Sequence, residues 1–184
     1  MAMEGKITKK QQAAAPAENR KKTMADYIKS MSGEIAKALP KTITAERFTR
    51  ITLSALSSSP KLQQCTPSSF LAAMMTAAQL GVEPNTPLGQ AYLIPYYNNG
   101  TETQECQFQI GYKGLIDLAY RSGEVQCVQA HEVHENDEFS YSFGLDPELH
   151  HVPAIRNRGA VIAYYAVWKG KDGGYGFEVM SRED

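Results

Sequence analysis

Lys113, Asp117 and Arg121 recur every four residues within the stretch 108–123, FQIGYKGLIDLAYRSG, where Gly111, Tyr112 and Gly114 frame the lysine. The alternating run before Gly111 reads as a strand, and the run after it reads as a helix that stops at Gly123. Glycines at such a junction let backbone approach a ligand closely while the first helical N–H groups face outward. A phosphate seat under the Lys113 ammonium is therefore one reading. On spacing alone, the same three charges also make a surface ladder of salt bridges worth roughly 0.2–0.5 kcal/mol each. Arg47 and Arg50 stand one helical turn apart and repel mildly; an anion would relieve this, and Glu46 can also pair with Arg50. Tyr97 and Tyr112, at a turn and at the junction, are the rings placed for exposure, whereas Tyr92 and Tyr96 read as half-buried strand residues. Exposed rings beside cations form platforms on which unpaired bases stack.

Other chemistries lack their residues. There is no GxxxxGK[ST] loop, no GxGxxG turn and no GxSxG elbow, so neither a nucleotide motor, a dinucleotide cofactor nor acyl transfer has a candidate site, and no catalytic residue is assigned. The GxxG pattern at 111–114 is shared with the loop of KH domains, but that loop joins two helices and this one joins a strand to a helix. The run His131, Glu132, His134, Glu135, Asp137, Glu138 offers carboxylates and imidazoles for a divalent ion. Strand alternation, however, points His131 and His134 to opposite faces, and His150-His151 lies in a loop before Pro153, so no metal ligand set is assigned. Cys65, Cys106 and Cys127 are too few and too far apart for a disulfide framework, which makes them reduced, buried apolar residues of a cytoplasmic protein.

The elements that position these residues follow from periodicity. The chain has 184 residues, 42% hydrophobic and 21% charged, enough for one core, and no run long enough to span a membrane. Its net charge of -1 hides an asymmetry: residues 1–61 hold 12 Lys/Arg and 5 Asp/Glu, residues 62–184 hold 7 and 15. Residues 1–22 are basic and poor in large apolar side chains, and read as a disordered arm ahead of a single domain over 23–184. Thr23 caps a helix to Leu39, Thr44 caps a second that breaks at the Ser-Ser-Ser-Pro run 57–60, and Thr66-Pro67 opens a third that ends at Gly81. The period then changes to two. Residues 90–97 and 104–110 form a hairpin, with Gln107 and Gln109 on the polar side of Cys106, Phe108 and Ile110. The helix of 112–122 follows, then strands at 125–134 and 139–143, and a hairpin of 160–169 with 175–180. The expectation is an α+β domain: N-terminal helices, then a mainly antiparallel sheet with a helix inserted after the first hairpin.

Several longer stretches carry a resemblance. Residues 79–84 (QLGVEP), 88–96 (LGQAYLIPY) and 109–123 (QIGYKGLIDLAYRSG) resemble the RecT family of phage and prophage single-strand annealing proteins. So do LPKTITAERFTRI at 39–51, NDEF at 136–139, FGLD at 143–146 and FEVMSR at 177–182, in the family's order over roughly 24–184. The resemblance implies an ATP-independent protein that binds single-stranded DNA, anneals it to a complementary strand, and assembles as a homo-oligomer in rings or helical filaments. It also implies a cognate 5'-3' exonuclease as partner and no cofactor. Carried over by position, Lys113 and Arg121 are phosphate contacts beside Gly111 and Gly114, Arg47 and Arg50 are further basic wall, and Gln107, Gln109, Tyr112 and Tyr97 are polar or stacking neighbours.

Two departures stand out. The hairpin tip, NNGTETQE at 98–105, has no lysine and two glutamates. The family also continues into a helical segment beyond the position of Asp184, so the chain reads as C-terminally truncated. The rival readings are a metal-dependent nuclease using Glu132, Glu135 and Asp137, and a self-assembling interaction module without DNA. The helix over 24–39 is the candidate for one side of a head-to-tail contact between subunits, with packing inside the subunit as its alternative.

Overall fold

The computed structural model describes residues 22–183. The expected basic arm lies outside them, apart from Lys22, whose ammonium stands 6.0 Å from the centre of the Tyr27 ring. Five helices come first: α1 (Met24–Ser30), α2 (Ser32–Ala38), α3 (Ala45–Ser58), α4 (Pro60–Gln63) and α5 (Pro67–Leu80). The hairpin β1 (Ala91–Asn98) and β2 (Thr103–Ile110) leads into α6 (Tyr112–Ser122), followed by β3 (Val125–His134), β4 (Glu138–Ser142), β5 (Glu148–Val152), β6 (Val161–Gly170) and β7 (Tyr175–Ser181). Every named ladder is antiparallel, in three separate sheets, β1-β2, β3-β6-β7 and β4-β5. The α+β expectation is borne out.

The helix starts form as their sequences dictate. Thr23 and Asp26 make a reciprocal capping box, Thr44 accepts from the Arg47 amide, and Thr66 accepts from the Ser69 amide ahead of Pro67. Gly81 ends α5 in the left-handed conformation at φ 61°, and a Cβ there would also overlap the Pro40 ring. The helix expected over 24–39 is instead two helices. Met31 leaves helical geometry at φ -92°, ψ 5°, and Gly33, the weakest helix former of the segment, lies just beyond. Ile28 and Ile35 are nevertheless both fully buried, because seven residues return to the same face.

The main core lies between these helices and the inner face of the first hairpin. Phe48, Leu62, Phe70, Met74, Ala77 and Val82 meet Ala91, Leu93 and Cys106 there. A second apolar cluster joins the β4-β5 hairpin to the three-stranded sheet: Phe139 stacks on Tyr165 at 5.7 Å and Phe143 on Phe177 at 5.2 Å. The segment holding His150 and His151 is strand β5, not a loop. Its run of five has only Leu149 and Val152 as apolar signals, and the strand exists because Glu138–Ser142 pairs along it.

Candidate nucleic-acid interface

Strand alternation divides the first hairpin into a core face and a wet face. Tyr92, Ile94 and Tyr96 of β1 pair with Gln109, Gln107 and Glu105 of β2, and all but Glu105 are exposed. Tyr92 and Tyr96 are 41% and 40% exposed, close to the half-buried expectation but with surface open to solvent. Both faces of β1 carry large apolar residues, so its sequence does not tell which face the helices cover. Tyr97 is more exposed still, at 57%, but it lies on the opposite face from Gln107 and Gln109, beyond the end of the helical core.

At the base of this row Tyr112 is 70% exposed, and Lys113 follows it in the first turn of α6. The methylenes of Lys113 lie beside Gly89, next to the Tyr92 hydroxyl. Among the described residues no carboxylate pairs with Lys113 or with Arg50. Half of the expected charge ladder is therefore absent, and its one formed rung is Arg121 to Asp117, Nε to Oδ2 at 3.0 Å but misaligned for a hydrogen bond. Arg121 Nη2 donates instead to the Leu80 carbonyl at 2.9 Å.

The glycines of the junction permit a close approach of backbone within the fold itself. The Gly111 amide donates to the Gln90 carbonyl at 2.8 Å, and a Cβ at Gly111 or Gly114 would overlap the carbonyl oxygen of Gly89 or Gln90. They let the start of α6 press directly on the backbone of residues 89–90. Gln90 extends the contact: its Oε1 accepts from the Glu83 amide at 3.0 Å and its Nε2 donates to Asp117 at 3.3 Å. Glu83, almost buried, receives a two-pronged bond from Arg47 at 2.6 and 3.1 Å. Arg47, Glu83, Gln90, Asp117 and Arg121 thus form one connected polar network that fixes α6 against α3 and the end of α5. Sequence reading missed Glu83 and Gln90. Their signal lay in the two motifs that contain them, but their partners are up to 36 residues away.

The hairpin tip has the opposite electrostatic sign. Hydrogen bonds from the Thr101 and Tyr96 hydroxyls hold the Glu105 carboxyl below its usual range, with Asn98 also donating. The tip thus carries a fixed anion, and the base of the row a cation with no ionic partner among the described residues.

The acidic and histidine run is absorbed by the fold. Asp137, with no exposed side-chain surface, accepts from Arg158, the His134 and Ala154 amides, and meets His151 at 3.1 Å. The Arg158 guanidinium holds its carboxyl well below the usual range. Glu132 faces His134 at 3.0 Å and shares Arg158 with Asp137, and Glu135 accepts from the Ala160 amide at 3.2 Å, so each of the three carboxylates is engaged within the fold. Among the described residues no group of three His, Cys, Asp or Glu converges as a metal site. Nor is any described helix long and apolar enough to cross a membrane.

Comparison with known proteins assigns this geometry to a lineage. The model of the RecT family matches residues 46–184. The chain belongs to the RecT family. It is 41% identical over 181 residues to Protein RecT of Escherichia coli strain K12, covering 96% of this chain and 67% of that protein. It is 30% identical over 162 residues to the uncharacterized protein YqaK of Bacillus subtilis strain 168, covering 87% of this chain and 54% of that protein. The chain thus spans about two thirds and about half of the two relatives. RecT membership bears out the resemblance read from the motifs and places the chain among single-strand annealing recombination proteins. The RecT-matched segment contains the whole polar network and the exposed hairpin row.

Proposed function

We propose that this chain binds single-stranded DNA along the wet face of the first hairpin and presents it to a complementary strand, without ATP and as an assembly of subunits on the DNA. The observation that carries the reading is the unpaired Lys113 beside the exposed row Tyr112, Tyr92, Ile94 and Tyr96. Lys113 supplies sequence-blind attraction to phosphate, and the rings hold bases by their faces. Base edges stay free, so a second strand can test its pairing. Alternate residues on β1 are about 6.6 Å apart, so Tyr92 to Tyr96 runs about 13 Å, a span that suits an extended strand. Gln107 and Gln109 border the row as neutral donors and acceptors. The anionic Glu105 keeps phosphate away from the tip.

Arg50 on α3, with no ionic partner among the described residues, adds a further cation, whereas Arg47 and Arg121 hold the scaffold through Glu83 and the Leu80 carbonyl. Gly111 and Gly114 shape the junction, and Tyr97 offers a ring at the far end of the hairpin. A cognate 5'-3' exonuclease that prepares the single strand, and a cytoplasmic setting, complete the reading. Pairing of two complementary labelled oligonucleotides by this chain, with ATP omitted, tests it. Accelerated annealing that Lys113→Ala slows is the expected result, and annealing no faster than in buffer would overturn it.

A further inference from the structure

The turn between β4 and β5 holds an apolar tip in water. Leu145 is 100% exposed, and Phe143 before it is 60% exposed. The loop is nonetheless braced: the Phe143 ring stacks on Phe177 at 5.2 Å and 24°, and the Tyr175 hydroxyl donates to the Pro147 carbonyl at 3.0 Å. Gly144, at φ 142°, allows the turn that projects Leu145. Asp146 and Glu148 flank it, and residues 138–148 contain no Lys or Arg.

A matching cavity lies elsewhere on the chain. Met24 and Ala25 of α1, Leu53 and Leu56 of α3, and Cys65 after α4 line an apolar groove of about 620 Å³, with Lys22 at its rim. The helical segment around it, residues 22–61, carries seven Lys/Arg against three Asp/Glu. The sign and chemistry of the tip and the groove are complementary.

We propose that Leu145 of one copy of this chain seats in the α1-α3-α4 groove of a second copy, with its acidic flank toward the basic helices. Tip and groove are different patches, so the contact is head to tail and leaves one tip and one groove open on every assembly until a ring closes. A rigid tip loses little freedom on docking. This rests on the reading of the chain as an assembling annealer, and supplies the surfaces that reading needs.

The test measures mass by light scattering for the full chain, for Leu145→Glu, which keeps the groove, and for Ala25→Glu, which keeps the tip. Each variant alone is expected as a monomer, and their mixture as a heterodimer and nothing larger. Circular dichroism checks the fold, and Lys22→Glu, at the exposed rim, replaces Ala25→Glu should the latter unfold. A monomeric parent chain, a variant that keeps the parent mass, or a mixture that stays monomeric would each overturn the contact, as would a partner of a different kind found necessary for assembly. Binding to an oligonucleotide too short for two subunits is measured in parallel. Loss there by the parent chain counts against the proposed DNA function and not against the contact.

Discussion

Arg121 at the end of α6 donates to the Leu80 carbonyl at 2.9 Å, so one helix supplies the cation that closes the C-terminal end of another. Replacing it with alanine strands that carbonyl and removes the ionic partner of Asp117, leaving it only the Gln90 amide among the described residues. Arg121→Ala is expected to lower stability by about 1.5–3 kcal/mol, the range for hydrogen bonds to charged groups. A denaturant midpoint measures this, and a variant as stable as the parent would show that the contact contributes nothing.

Lys113→Ala makes the contrasting case. Its side chain has no ionic partner among the described residues, so folding stability should be unchanged while single-strand affinity falls. One lost phosphate contact reduces the slope of log affinity against log salt by about 0.7. Fluorescence anisotropy across a salt series reads both quantities.

Tyr92→Ala and Tyr96→Ala should weaken single-strand binding by about 1–3 kcal/mol per base stacked while leaving the salt slope untouched. Equal loss for a polyanion without bases, such as heparin, would assign the rings to packing rather than stacking.

Gly114→Ala should destabilise the fold by about 1–3 kcal/mol, because the new methyl meets the Gln90 carbonyl and the helix must move. Gly123→Ala meets no neighbour and should cost less, through its positive φ of 82° alone. Thermal melts of the two variants rank them.

His134 sets a pH dependence. Its Nδ1 lies 2.8 Å from the Gly159 carbonyl and its Nε2 3.0 Å from Glu132, so both nitrogens face acceptors and the protonated ring is favoured. The Gly159 carbonyl first, then Glu132, raises its pKa above the ordinary 6.5. A raised pKa means the stabilisation is full below that ordinary value and is lost as pH rises through the folded value. His134→Gln should therefore flatten the decline in denaturation midpoint as pH rises above the ordinary 6.5. Asp137 acts at the other end: its depressed pKa gives stability above the ordinary 3.8 that is lost on acidification below it.

Much of this molecule is written locally. Thr23, Thr44 and Thr66 mark three helix starts by their own side chains, Gly81 and Gly123 mark two ends by their left-handed backbone, and the period-two runs locate the first and last hairpins. Those signals act within a few residues, so a sequence contains them whole. The ordered motifs from Pro40 to Arg182 likewise sufficed to indicate the family. Strand β5 escaped because its pattern gains meaning only when β4 lies beside it.

The roles at the junction needed the tertiary structure. At Gly111 and Gly114 the Gly89 and Gln90 carbonyls, from twenty residues or so upstream, occupy the space a Cβ would take, a contact that no local pattern contains. Arg47 and Arg121 look as free as Lys113 until Glu83 and the Leu80 carbonyl claim them. Charge and spacing fix which groups can bind an anion. Only packing decides which of them are already bound, because a buried acceptor in the same chain competes with any ligand at far higher effective concentration.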